Sequence, residues 1–91
     1  MTQFVTFHLA EHLYGIDVHD VQEVLPARTV SPVPLAPHDV AGLVNLRGQV
    51  VLAADLRARL GLPGHDDRQM LVVVSTPTDP VALLVDRIGE V

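Results

Sequence analysis

The segment Val40–Val51, with the sequence VAGLVNLRGQVV, decides the fold, because two apolar runs flank the four residues NLRG in its middle. Apolar runs separated by a glycine-containing turn are typical of two β-strands that form a hairpin. Gly48 adopts a positive φ without steric cost, so Arg47 is expected at or beside the turn. The local pattern alone leaves two explanations for this single cation, a solubilising surface residue or a contact residue.

Upstream of this hairpin, apolar and polar residues alternate over Phe4–Leu9 and predict a half-buried strand. Ala10–His12 would form a turn, and Leu13–Ile16 the returning strand. Asp17 follows, and its side chain can cap a short helical turn. The first part of the chain is therefore predicted to be a second β-hairpin.

Between the two hairpins, the segment Pro26–Pro37 holds four of the seven prolines. Proline cannot continue a helix and favours extended structure, so we predict a strand or an extended arm that crosses the domain. The segment is too apolar for a free linker, and its residues Val30, Val33 and Leu35 are expected to be buried.

Downstream, Ala54–Gly61 is the best helix candidate, with Asp55 as its N-cap, Gly61 as its C-cap, and Leu56 and Leu60 on one face. A polar loop over Gly64–Arg68 and a further hairpin are expected after it. The two strands of that hairpin are Met70–Val74 and Val81–Val85. The pattern predicts a mostly β fold with one or two short helices, as expected of a small β-barrel.

Composition restricts the function classes. The chain has 91 residues, enough for one domain, and its formal net charge of −5 argues against nucleic acid or an anionic membrane surface as a partner. It contains no cysteine, which excludes disulfides and thiolate metal sites. No apolar run is long enough to span a membrane, and no signal peptide pattern occurs, so we expect a cytoplasmic protein without direct membrane insertion.

One motif suggests catalysis. His8, Glu11 and His12 match the HxxEH pattern of inverted zinc peptidases, whose chemistry needs both histidines on one face of a helix. The alternation and Gly15 instead place the motif across a strand and a turn, so we expect no metal site here. His65–Asp67 is expected to be a surface loop rather than a cation site. No catalytic constellation assembles, no cofactor is implied, and the sequence favours a binding module.

Several blocks of sequence occur in an order and at a spacing that point to one family. They are YGID and VQEV (Tyr14–Asp17, Val21–Val24), VP and the central VAGLVNLRG (Val33–Pro34, Val40–Gly48), DLR and LGL (Asp55–Arg57, Leu60–Leu62), and LVVV and LVD (Leu71–Val74, Leu84–Asp86). Over nearly its whole length the chain resembles the CheW-like domain, the coupling adaptor of bacterial chemotaxis.

The resemblance implies a non-catalytic scaffold with a small five-stranded β-barrel, normally one of two intertwined barrels and here incomplete at the C-terminus. It also implies two partners: the regulatory domain of the histidine kinase CheA and the cytoplasmic tips of methyl-accepting chemoreceptors. By motif position, the family's partner-contact residues fall on Val21, Glu23, Gly42, Asn45 and Arg47. Glu23 and Arg47 would supply specificity through charge-assisted hydrogen bonds. Core packing is an alternative explanation for Val21, and a β-bulge for Gly42.

The resemblance also reveals a departure, because family domains continue past the position that matches Val91. Residues 1–91 are therefore expected to form one CheW-like domain that is truncated at its C-terminus. Leu84, Val85, Ile88 and Val91 would then lack part of their packing partners. An exposed apolar edge favours strand exchange, so we predict self-association with another copy.

Two alternatives remain open at this point. One is a CheW-like fragment of a larger kinase or of an adaptor–receiver protein. The other is a small zinc-dependent hydrolase that uses His8, Glu11 and His12. The second depends on whether that segment forms a helix or a hairpin.

Overall fold

The computed structural model describes residues 3–62 and 69–89. In these residues it contains one four-residue helix, α1 (Leu56–Arg59), and eight strands: β1 (Phe4–Leu9), β2 (His12–Asp17), β3 (Val21–Pro26), β4 (Val40–Leu46), β5 (Gln49–Asp55), β6 (Met70–Val74), β7 (Val81–Val85) and β8 (Arg87–Ile88). The mostly β prediction is confirmed. The predicted loop Gly64–Arg68, with its His65–Asp67 motif, and Val91 lie outside the described residues.

The first predicted hairpin forms β1 and β2, which belong to a three-stranded sheet with the order β2-β1-β8. Its antiparallel register pairs Leu9 with His12 across a two-residue turn, and Phe7 with Tyr14. Val5, Phe7 and Leu9 are buried, as the alternation predicts. Asp17 ends β2 and accepts a hydrogen bond from the backbone N–H of His19, which caps a short 3-10 turn as expected.

The other two predicted hairpins lie in a five-stranded sheet with the order β3-β6-β7-β5-β4. All neighbours in this sheet are antiparallel except β5 and β7, which run parallel. The Val40–Val51 segment supplies β4 and most of β5, so the stretch that decides the fold provides one edge of the larger sheet.

The five-stranded sheet curls so that its two edges approach each other. Ser31, which follows β3, exchanges two backbone hydrogen bonds with Leu43 of β4, at 2.8 and 2.9 Å. Within residues 3–62 and 69–89 this isolated bridge is the only backbone β-pairing that links the β3 side of the sheet to β4. The expected five strands are present, and they form a strongly curled sheet rather than a fully closed barrel.

Two apolar clusters lie on opposite faces of the five-stranded sheet. The inner cluster fills the curl and contains side chains from β4 to β7, among them Val44, Val51, Leu71 and Val73. The outer cluster is formed where the opposite face of β6 and β7 meets β1: Val72 and Val85 pack with Phe7 and Leu9. Successive strand residues point to opposite faces, so β6 contributes to both clusters.

A buried ion pair joins the helix, the end of β7 and the first hairpin. Arg57 of α1 donates through Nε and Nη2 to the two carboxylate oxygens of Asp86, at 2.6 and 2.7 Å. Asp86 also accepts a 2.6 Å hydrogen bond from the backbone N–H of Ala10, in the β1–β2 turn. The Arg57 guanidinium lowers the pKa of the Asp86 carboxyl, an effect that the Ala10 N–H reinforces and burial opposes. Nothing in the sequence analysis anticipated this pair.

Helix α1 has the predicted capping residues, but it spans only Leu56–Arg59 rather than the predicted Ala54–Gly61. The Asp55 side chain accepts a hydrogen bond from the Ala58 N–H, and Gly61 has a φ of +71°. The N–H of Leu62 donates to the Arg57 carbonyl, which completes a Schellman C-cap. Leu56 packs against the outer cluster, whereas Leu60 is half exposed, so the expected shared apolar face is wrong for Leu60. Among the described residues, no helix has the length and hydropathy to cross a bilayer.

Two predictions of burial need correction. Val30 packs against the inner cluster, but Val33 is exposed and Leu35 is fully exposed with a φ of +62°, because the chain turns outward there instead of crossing the domain. Leu84 and Val85 are buried within this chain, because β7 lies between β6 and β5 and both of its faces are covered. They therefore do not lack packing partners.

Candidate protein-interaction site

The tip of the β4–β5 hairpin is a two-residue turn at Arg47 and Gly48. Both have a positive φ, +51° and +88°, which is the geometry that matches the twist of the two flanking strands. The Asn45 side-chain oxygen accepts a 2.9 Å hydrogen bond from the Gly48 N–H and so holds the turn. Arg47 is therefore a non-glycine residue kept in a left-handed conformation, with its side chain projecting from the tip.

A β-bulge at the start of β3 sets the direction of Glu23. Val21 pairs with Val74 and Glu23 pairs with Val73, so Gln22 is the extra residue. Residues that pair across strands share a face, which places Val21 on the outer face and Glu23 on the inner face of the curl. Val21 accordingly packs against the outer cluster, which supports the core-packing explanation for this residue.

The curl of the sheet brings these two predicted residues together. Arg47 Nη2 lies 3.1 Å from Glu23 Oε2, across the end of the inner cluster. The Arg47 side chain is 79% exposed and that of Glu23 is 26% exposed. The carboxylate is thus held at the rim of the curl, while most of the guanidinium remains available to another molecule.

Gly42 has a backbone role in β4. It is buried, has a φ of +152°, and lies at the bulge where the register shifts between Val40 and Gly42. A Cβ at this position would overlap the Ser31 carbonyl oxygen and approach the Ser31 carbonyl carbon to 2.8 Å. Glycine is therefore required for the bridge that links the two edges, as the bulge explanation predicts.

An apolar groove of about 690 Å³ lies beside the hairpin tip. Its floor consists of Leu43, Val50, Leu52 and Val81, which lie on the outer face of the five-stranded sheet beyond the area that β1 covers. The rim includes Gln49 and the 76–80 segment between β6 and β7. The exposed Val50 side chain near the hairpin tip is thus part of the groove, so the tip and the groove form one continuous surface.

The loop that forms this rim is anchored to the start of β3. The Ser75 N–H donates to the Asp20 carbonyl at 2.8 Å, and Gln22 Nε2 donates to Ser75 Oγ at 2.9 Å. Gln22 is the bulged residue, so the bulge also fixes the loop. No sequence motif predicts the anchor, because its residues are more than 50 positions apart. The groove was not predicted either, because it forms only where β4, β5 and the start of β7 come together with the 76–80 segment.

The histidine motif is incompatible with a zinc site. His8 pairs with Leu13 and His12 pairs with Leu9, so the two histidines point to opposite faces of the three-stranded sheet. The segment is a hairpin rather than a helix, which overturns the zinc hydrolase alternative. In the part of the chain that the structure describes, no cluster of three His, Asp or Glu side chains could hold a metal ion.

Comparison with known proteins gives a consistent result. A family model described as CheW-like domain matches residues 3–91. The chain is 34% identical to the chemotaxis protein CheW of Treponema pallidum, over 98% of this chain and 56% of that protein. It is 29% identical to the chemotaxis protein CheW of Thermotoga maritima, over 94% of this chain and 58% of that protein.

A solved structure shares the fold. The scaffolding protein TtCheW of Thermoanaerobacter tengcongensis superposes with a TM-score of 0.88 at 33% identity, over 98% of this chain and 62% of that one. The chain therefore spans a little under three fifths of the length of the two curated relatives.

Proposed function

The chain belongs to the CheW-like domain family, and on that premise we propose that it is a non-catalytic cytoplasmic adaptor of bacterial chemotaxis. In this role it couples chemoreceptors to the histidine kinase CheA through protein–protein contacts. The contact surface that we assign to it is the end of the five-stranded sheet that carries the hairpin tip, the start of β3 and the neighbouring groove.

The observation that carries the proposal is the pairing of Glu23 with Arg47. These residues come from segments more than 20 positions apart, and each matches a motif of the family. Because an exposed ion pair adds little to folding stability, stability alone does not explain why these two side chains are held together. A fixed carboxylate that orients a mostly exposed guanidinium is suited to recognise an acidic or carbonyl-rich partner surface.

The other predicted residues support this surface in different ways. Asn45 holds the turn that presents Arg47, and Gly42 allows the bridge that shapes the sheet. Val21 acts through its packing on the outer cluster. The groove supplies apolar contact area next to a charged tip, which is the usual arrangement of an apolar centre and a polar rim in protein interfaces.

The test is a titration of the purified chain against the kinase regulatory domain and, separately, against a receptor tip fragment. We expect Arg47→Ala to weaken binding to at least one partner by about tenfold, as for loss of a charge-assisted contact. Arg59→Ala is the matched control. Arg59 forms a 3.0 Å exposed pair with Asp39 at the opposite end of the hairpin, with similar exposure, and should change affinity less than about twofold.

A charge exchange then separates contact from conformation. The double variant Glu23→Arg with Arg47→Glu can re-form the internal ion pair but presents the wrong charge to the partner. If Arg47 contacts the partner, binding stays weak in this variant; restored binding would assign the pair a purely conformational role. If the unmodified chain binds neither partner, the coupling function fails for this chain.

A further inference from the structure

The turn over residues 33–36 holds Leu35 in a conformation that leucine disfavours. The Ala36 N–H donates to the Val33 carbonyl at 3.3 Å, which closes a β-turn with Pro34 at its second position and Leu35 at its third. Leu35 has a φ of +62°, and a positive φ at the third position of a turn normally requires glycine or asparagine. A Cβ makes this left-handed conformation unfavourable because it approaches the following carbonyl oxygen. The backbone of the turn is therefore strained, whatever surrounds the loop.

Leu35 differs from the other two non-glycine residues that have a positive φ in the described part of the chain, Ala10 and Arg47. The Ala10 N–H is held by the Asp86 carboxylate, and the turn at Arg47 is held by the Asn45 side chain. The Leu35 side chain is fully exposed, so it packs against none of the described residues. Neither backbone conformation nor burial within the described fold therefore explains a leucine at this position.

The segment that carries the turn is restricted in conformation and uncharged. Residues 29–37 contain no charged side chain and include Pro32, Pro34 and Pro37. Proline reduces the conformational freedom of a loop, so little further entropy is lost when such a loop binds another molecule. Transfer of a leucine side chain from water to an apolar environment is favourable. An exposed leucine on a preorganised, uncharged loop is thus suited to fill an apolar pocket.

The connection that carries this turn meets the sheet at the opposite end of β4 from the hairpin tip. Asp39, the last residue before β4, accepts a 2.8 Å hydrogen bond through its carbonyl from the Asp55 N–H. Arg47 follows the other end of β4, and the seven residues of this strand extend over about 20 Å. The two regions also differ in chemistry, because the tip carries a cation and residues 29–37 are uncharged.

We propose that the Leu35 turn is a second protein-contact surface of this chain, which inserts Leu35 into an uncharged, apolar pocket of a partner protein. The inference rests on the proposed adaptor function and deepens it, because a protein that couples two partners must bind both without overlap. The cationic tip and the Leu35 turn then serve different partners. Of the kinase regulatory domain and the receptor tip, the partner that docks on Leu35 is the one whose binding does not depend on Arg47.

Two variants at position 35 separate the side chain from the backbone. Leu35→Asn removes the apolar side chain and supplies a residue that tolerates a positive φ, whereas Leu35→Met keeps an apolar side chain of similar size. Both are titrated against the two partners beside the unmodified chain and Arg47→Ala. We expect Leu35→Asn to weaken binding to one partner about tenfold, and Leu35→Met to weaken it less than about threefold. Arg47→Ala should change the affinity for that partner less than about twofold.

A matched control uses another exposed leucine. Leu60 is half exposed but has an ordinary negative φ of −89°. Leu60→Asn should therefore leave both affinities within about twofold of those of the unmodified chain. An equal loss of binding for Leu35→Asn and Leu60→Asn would contradict a specific role of the strained turn.

Urea denaturation tests whether Leu35 acts outside the fold. Because asparagine relieves the strain and no packing is lost, the midpoint for Leu35→Asn should equal or exceed that of the unmodified chain. A lower midpoint would show that Leu35 packs within its own chain and would overturn the proposal. Binding that Arg47→Ala weakens and Leu35→Asn leaves unchanged would refute only the second surface, whereas an unmodified chain that binds neither partner would refute the adaptor function as well.

Discussion

The five-stranded and three-stranded sheets differ in how completely they are enclosed. The larger sheet has apolar clusters on both faces, bulges near both edges and a bridge between its edge regions. The smaller sheet packs one face on β6 and β7 and has an open edge at β2 within the described residues. The comparison shows that the two sheets are stabilised differently: the larger sheet is packed on both faces, whereas the smaller sheet depends on one packed face and on the hydrogen bond from the Ala10 N–H to Asp86.

The largest effect should come from breaking the connection between the two sheets. Asp86→Ala removes the carboxylate that accepts hydrogen bonds from Arg57 and from the Ala10 N–H. The Arg57 side chain is only 13% exposed. We expect a loss of about 3–5 kcal/mol of unfolding free energy, because a nearly buried guanidinium loses its main partner. Urea denaturation measures the loss, and hydrogen exchange should increase first in β1 and β2.

Asp39→Ala is the control for this effect. Asp39 pairs with Arg59 at the surface, so its removal should reduce the free energy of unfolding far less than Asp86→Ala does. Comparable losses for the two variants would show that the Asp86 pair has no special role. The double variant Arg57→Met with Asp86→Leu should recover much of the loss, since an apolar pair can replace a buried ion pair.

The second effect concerns the enclosure of the larger sheet. Gly42→Ala adds a Cβ against the Ser31 carbonyl and forces alanine into a φ of +152°. We expect a loss of about 2–3 kcal/mol in the free energy of unfolding. Gly48→Ala also strains a positive φ but meets no atom within 4 Å, so it should cost only about 1 kcal/mol. Equal losses would mean that the Ser31 bridge does not depend on Gly42.

The third effect is a pH dependence of the free energy of unfolding, which comes from the Arg57–Asp86 pair between the two sheets. The pKa of Asp86 is lowered in the folded chain, chiefly by Arg57. Its contribution to stability is therefore complete above the ordinary aspartate pKa of about 4 and is lost as the pH falls through the lowered value.

The measurement for this pH dependence compares urea denaturation at neutral and acidic pH. The unmodified chain should lose more stability below about pH 4 than the Arg57→Met, Asp86→Leu variant. Asp17 and Asp39, whose pKa values are also lowered, are present in both proteins and so cancel in the comparison. An equal acid loss in the two proteins would contradict the assignment to Asp86.

The same comparison explains which features the sequence could predict. Local signals located the three hairpins, the Asp55 cap and the turn at Arg47 and Gly48, because strand alternation and turn chemistry act over a few residues. The Arg57–Asp86 pair, the Gln22–Ser75 contact and the groove depend on how distant strands meet, and no local pattern encodes them. Leu35 shows the reverse error: an apolar residue was expected to be buried, although the turn around it directs it outward.

The smallest effect on stability should come from the candidate site. A double-mutant cycle of Glu23→Gln and Arg47→Ala should give a coupling of about 0.2–1 kcal/mol, which decreases in 0.5 M salt, because the guanidinium is mostly solvated. The same two variants are then titrated against the kinase regulatory domain and the receptor tip. A weak coupling in folding together with a tenfold loss in binding would mean that the rigid sheet positions this pair for a partner. A coupling above about 2 kcal/mol would instead make the Glu23–Arg47 pair a structural contact, comparable to the Arg57–Asp86 pair. The two ion pairs would then not differ in their contribution to folding stability.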